Sequence, residues 1–215
     1  MMIRFFTSTI LTFAFVFSGI SQDADGLLSK LSEKAKTYKT IDATYSSKMV
    51  DLKNNFTEET SGHILVEDDK FKLDLGEFVI ISDGVSVWTY ETETNDCYLD
   101  DAEMLIEEGM DPTRIFTIWE DDFKTEWKGH EMVSDRDCVQ INLYPTHTEE
   151  KSYHTMQLFV DETALEVVRI VVKGREGMDT EYIIDSFDTG VQIPSSIFSF
   201  ETNKYPGATI IDNRI

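Results

Sequence analysis

From Ile41 onward the chain leaves little room for anything but antiparallel strands. Apolar residues recur with a period of two in short segments. The breaks between segments are small clusters of turn formers: Lys53-Asn54-Asn55, Glu67-Asp68-Asp69, Gly76-Glu77, Asp83-Gly84 and Asn95-Asp96. A parallel crossover takes about a dozen residues or more, so breaks this short join antiparallel neighbours in a meander. The clearest lies between Val79 and Tyr90, where two β-branched runs hinge on Asp83-Gly84. Asp-Gly between such runs is a strong hairpin signal, because the turn needs residues that tolerate positive φ.

Candidate strands cover 43–52, 61–66, 71–75, 78–82, 85–92 and 97–99, and then 123–128, 138–144, 153–160, 165–173, 180–187 and 197–200. In the later set Val139, Ile141 and Leu143 alternate with Gln140 and Asn142, so one face is buried and one is wet. A sheet of this many strands curls or closes. Residues 23–40 instead read as an amphipathic helix, with Leu27, Leu28, Leu31, Ala35 and Tyr38 at helical spacing. Two short apolar helices interrupt the meander. Asp101 caps one through Met110, and Asp111-Pro112 opens another that carries Ile115, Phe116, Ile118 and Trp119. Helices apolar on most of their faces must cover something.

Residues 1–21 read as a cleaved secretory signal: Arg4, an apolar run from Phe5 to Val16, and Gly19 and Ser21 at the −3 and −1 positions. That run is short for a membrane span and carries Ser and Thr. No cysteine follows it to accept a lipid. Residues 22–215 then form one domain, soluble and exported. The chain holds 41 Asp and Glu against 19 Lys and Arg, a net charge of −22. Such acidity repels nucleic acid and anionic membranes, and it reads equally as a basic patch on a partner or as a generic acidic surface. Cys97 and Cys138 lie at the edges of two predicted strands, and an exported protein can either pair them or leave them as thiols.

Little chemistry stands out. The four histidines follow no metal-binding spacing. No nucleophile elbow, phosphate loop, dinucleotide fingerprint or calcium loop is present. The expectation is a protein without catalytic residues, metal or cofactor. What does stand out is apolar excess: Phe71, Leu73 and Leu75 on one strand, Ile80 on the next, Trp88 and Tyr90 on a third. Leu105, Ile106, Ile115, Phe116 and Trp119 add an apolar lid from the two inserted helices. A curved sheet covered by helices makes an apolar cavity.

In order and spacing the chain resembles the LolA family of periplasmic lipoprotein carriers. The shared elements are the N-terminal helix and long first strand, then Gly62-His63-Ile64-Leu65-Val66 and Lys70-Phe71-Lys72-Leu73. After them come Ser82-Asp83-Gly84 with Trp88 and Tyr90, the helical insert, and a closing Phe198, Phe200, Pro206, Gly207, Ile210, Ile211 and Asp212. The resemblance implies an α+β fold, an unclosed antiparallel half-barrel of about 11 strands with a short helical lid over an apolar concave face. It implies Phe71 and Leu73 on the cavity side, and Leu105, Ile106, Ile115, Phe116 and Trp119 in the lid. The function implied is a monomeric, non-enzymatic periplasmic chaperone for acylated lipoproteins. Its partners would be an inner-membrane release complex and an outer-membrane acceptor. A lipid-sensing or structural interaction module on the same fold is the alternative. One departure is plain: family members often carry a basic residue before the K-F-x-L strand that helps latch the lid, and this chain has Glu67-Asp68-Asp69.

Overall fold

A computed structural model describes residues 23–104, 117–120, 123–147 and 151–214. The expected signal over residues 1–21, and Leu105, Ile106, Ile115 and Phe116 of the expected lid, lie outside the described residues.

The architecture is α+β. Helix α1 (Ala24–Ala35) is capped by Asp23, whose carboxylate accepts from the Gly26 amide. The first half of the sheet comprises β1 (Thr40–Asp51), β2 (Phe56–Glu67), β3 (Lys70–Asp74), β4 (Phe78–Ser82), β5 (Ser86–Glu91) and β6 (Asp96–Asp101). A 3₁₀ turn, Ile118–Glu120, precedes the second half: β7 (Phe123–Val133), β8 (Arg136–Pro145), β9 (Tyr153–Asp161), β10 (Glu166–Gly174) and β11 (Met178–Thr189). A second 3₁₀ turn, Ser195–Phe198, leads to β12 (Thr209–Asp212).

The 12 strands of the described residues form one sheet in the order β12-β6-β5-β4-β3-β2-β1-β11-β10-β9-β8-β7, and its two outermost strands do not pair with each other. The half-barrel is therefore open. Each half is a meander, as the short turns require, and the halves meet where β1 pairs with β11. A register shift at Thr44/Tyr45 opposite β11 adds twist at this central seam.

Side-chain alternation sorts the core onto two faces. On the concave face α1 packs Leu27, Leu28 and Leu31 against Val139, Ile141, Leu143, Met156, Leu158 and Ile170 of β8–β10. Next to it Ile41, Ala43, Ile64, Val66 and Phe71 form a second cluster on β1–β3. On the outer face Val133, Cys138, Phe159 and Val168 pack together, with the Arg169 guanidinium over the Phe159 ring.

Two expectations need correction, and one choice left open by the sequence is decided. The hairpin at Asp83-Gly84 forms, but only Gly84 takes a positive φ. Asp83 instead turns the chain with its side chain, accepting from the Val85 and Ser86 amides. The expected strand at 197–200 is not a strand: Ser195–Phe198 follows Pro194 as a 3₁₀ turn that buries Phe198. The last strand is β12, and it pairs with β6 in parallel. Cys97 and Cys138 are both buried free thiols, on β6 and β8 at opposite ends of the strand order, so no disulfide links them.

Candidate functional site: an apolar cavity under helix α1

The concave face holds a cavity of about 430 Å³ between α1 and the central strands, inside the range of roughly 300–1,000 Å³ common for small-molecule pockets. Its floor is the seam of the sheet: Ala43 and Tyr45 of β1, Ile64 of β2, Tyr182, Ile184 and Phe187 of β11, and Ile170 and Val172 of β10. Leu31, Ala35 and Tyr38 project from α1 and the turn after it. Ile118 and Trp119 close one side, Leu73 and Leu75 another, and Leu165 and Val167 the rim at the β9–β10 turn.

The rings of this wall interlock. Tyr45 meets Tyr182 edge-on with centroids 5.9 Å apart, and Tyr38 meets Phe187 at 5.6 Å. Burial pushes the Tyr38, Tyr45 and Tyr182 phenols above their ordinary value, so all three stay neutral at physiological pH. Among the described residues the one charged side chain that lines the cavity is Glu166, and its charge is matched. Arg136 donates to one Glu166 oxygen at 2.8 Å, and Lys34 lies 3.5 Å from the other. Arg136 also donates to Asp161, whose other oxygen accepts from the Thr163 and Ala164 amides and shapes the turn. Leu165, next in that turn, takes a φ of 51°.

Helix α1 is tied down by side chains on several sides. Trp119 Nε1 donates to Ser32 Oγ at 2.8 Å inside the core, and Lys36 Nζ donates to Glu120 at 2.7 Å. Lys34 Nζ donates to the Ala164 carbonyl at 2.6 Å. The segment Ile118–Glu120 is thus latched to α1 by polar bonds as well as by the burial of Trp119.

The structure brings together only part of the residue set expected from sequence. Leu73, Leu75 and Trp119 line the cavity. Phe71 and Ile80 share that face but pack in the cluster beside it. Trp88 and Tyr90 are on the other side of the sheet. Leu73 pairs with Ile80 and Ile80 with Thr89, so the neighbours of Thr89 point outward. There Tyr90 packs against Tyr205 at 4.6 Å and Phe200 at 6.0 Å, under the C-terminal segment. Sequence reading missed the centre of the site, Tyr45, Tyr182, Ile184 and Phe187. Their alternation was visible, but nothing local places β1 beside β11.

Among the described residues no group of three or more His, Cys, Asp and Glu could hold a metal ion, and no helix is long and apolar enough to cross a membrane.

Comparison with known proteins agrees with this architecture. The family described as "Outer membrane lipoprotein carrier protein LolA" matches residues 36–201. No curated protein sequence matches the chain. Among solved structures, an uncharacterized conserved protein from Thermus thermophilus superposes with a TM-score of 0.59 at 10% identity, covering 89% of this chain and all of its own (100%). The lipoprotein LppX of Mycobacterium tuberculosis superposes with a TM-score of 0.51 at 11% identity, over 80% of this chain and 100% of its own. At such identities the likeness speaks for the fold.

Proposed function

The chain belongs to the LolA family of outer membrane lipoprotein carrier proteins, and from that premise we propose that it is a periplasmic carrier that shelters the acyl chains of lipoproteins. The observation that carries this reading is the cavity of about 430 Å³ walled by aliphatic and neutral aromatic side chains. An acyl chain gains about 0.8 kcal/mol for each CH₂ removed from water, on the order of 10 kcal/mol for a long chain. A lipoprotein therefore crosses an aqueous compartment only with its chains covered. The cavity offers that cover without a charge that an apolar chain would leave unpaired, since Glu166 is matched by Arg136 and Lys34. The protein acts by binding and release, without catalysis. It takes cargo from an inner-membrane release complex and gives it to an outer-membrane acceptor.

The test is a release assay. The protein is added to energised spheroplasts of the source organism, and acylated lipoproteins that co-elute with it are identified by mass spectrometry. Stoichiometric cargo is expected, and Leu75→Trp, which fills the cavity from one wall, is expected to lose it. An eluate holding only free lipid would move the reading to a lipid-sensing module.

A further inference from the structure

The strands that floor the cavity continue past it. β3 pairs with β2 only from His63 to Glu67, so among the described residues the distal part of the β1–β2 hairpin has no neighbour on its β2 side. The hairpin ends at Leu52–Asn55, beside the β10–β11 turn at Arg175–Gly177, and the Leu52 amide donates to the Gly177 carbonyl at 2.9 Å. Three large apolar side chains crowd this tip in water: Leu52 is 66% exposed, Phe56 51% and Met178 46%. Asp51 lies opposite both Phe56 and Met178 in the ladders, which puts those two on the same face as Tyr45 and the cavity floor. Tyr45 and Asp51 are about 20 Å apart along β1, with Ser47 and Met49 between them on that face.

The charge of the tip also sets it apart. Residues 51–56 and 175–178 carry two acids, Asp51 and Glu176, and two bases, Lys53 and Arg175, within a chain of net charge −22. Exposed Leu, Phe and Met beside balanced charges, with Lys53 Nζ 4.0 Å from Glu176, form a surface that can enter a zwitterionic lipid interface, apolar groups inward and both signs of charge at the headgroups. Three side chains at this end of the sheet, two from the β1–β2 hairpin and Met178 from β11, are too few for a stable protein interface, which buries about 1,200 Å² or more. They are enough for shallow insertion.

We propose that this tip docks on a zwitterionic bilayer surface, aligning the concave face so that an acyl chain can slide between membrane and cavity. The sliding step rests on the carrier reading. Docking itself does not.

The test reads the tip directly. An environment-sensitive dye is placed at Asn54→Cys, and in a second protein at Glu162→Cys in the β9–β10 turn at the opposite end of the sheet. The native Cys97 and Cys138 are both 0% exposed and stay unlabelled. With phosphatidylcholine vesicles, the Asn54 dye is expected to shift to the blue and the Glu162 dye to stay unchanged. Phosphatidylglycerol added to the vesicles at low salt is expected to weaken the shift, because the rest of the chain is acidic. A Leu52→Ser/Phe56→Ser/Met178→Ser variant is expected to need at least about tenfold more lipid. These side chains are exposed, so the fold is retained, as circular dichroism would check. No shift at Asn54, an equal shift at Glu162, or a triple variant that binds as well as the parent would overturn the proposal. Uptake of a fluorescent fatty acid is measured in parallel without vesicles. A cavity that fills beside a silent tip removes docking alone, and a tip that responds beside an empty cavity removes the carrier reading alone.

Discussion

Gly62 shows what a single position does for the site. The Tyr45 ring lies across it, and a Cβ there would collide with the ring's far end. Because that end is a side-chain tip, Gly62→Ala is expected to push Tyr45 into the cavity rather than unfold the sheet. Affinity for a fluorescent acyl probe should fall severalfold while the denaturation midpoint changes little. Ser32 and Trp119 couple more tightly. Ser32→Ala leaves the buried Trp119 Nε1 without an acceptor and is expected to cost about 1–3 kcal/mol by urea unfolding. Trp119→Phe in that background should then add less than it costs alone, a double-mutant cycle that reads the bond. Asp161 supplies a pH dependence. Hydrogen bonds from the Ala164 amide and Arg136 hold its pKa below the ordinary 3.8. A depressed carboxylate stabilises the fold above its unfolded pKa and loses that contribution as pH falls through the folded value. Stability should therefore drop below the ordinary aspartate range, and less steeply in Asp161→Asn. At this scale the sequence was half readable. Gly62 stood out within a motif and Trp119 as an apolar lid residue, but their partners Tyr45 and Ser32 are set by tertiary register.

Among elements, α1 was the most legible, because helical spacing and an Asp cap are local signals. Its role is not local. It covers β8–β10, far along the chain, and Lys34 pins it to the β9–β10 turn at the cavity rim. Lys34→Ala removes a partly exposed tie of roughly 1 kcal/mol at most. It is expected to speed acyl-probe release about threefold in stopped-flow with little change in fold stability. Strand positions followed from alternation, and β4 runs over the expected 78–82. Ends were harder: β2 starts at Phe56 rather than 61, since Thr57–Ser61 is polar throughout and carries no apolar period. The misreading at 197–200 has a similar source. Ile197, Phe198 and Phe200 mimic alternation, while β12 is short, exposed and paired in parallel, which no turn signal announces.

For the whole molecule, the order of strands decided what sequence could not. Cys97 and Cys138 suited a disulfide as well as two thiols until β6 and β8 took their places near opposite edges of the sheet. Non-reducing peptide mapping is expected to find both as thiols and no cross-link. Trp88 and Tyr90 looked like cavity wall by composition, but register puts both on the other face, where Tyr90 meets Phe200 and Tyr205.

The seam between β1 and β11 also fixes when the molecule can become whole. Ile41 pairs with Thr189 and Asp51 with Met178, so the central strand waits for nearly the last part of the chain. As the chain emerges N-terminus first, β1 through β6 can zip up early, yet one side of β1 stays an open edge, and α1 has no β8–β10 surface to cover. Pairing of such sequence separation is slow, and an open edge is a template for other chains. A nascent chain stalled before Met178 would be the species most prone to aggregate, and a holdase that binds unfolded polypeptide would find its longest window there.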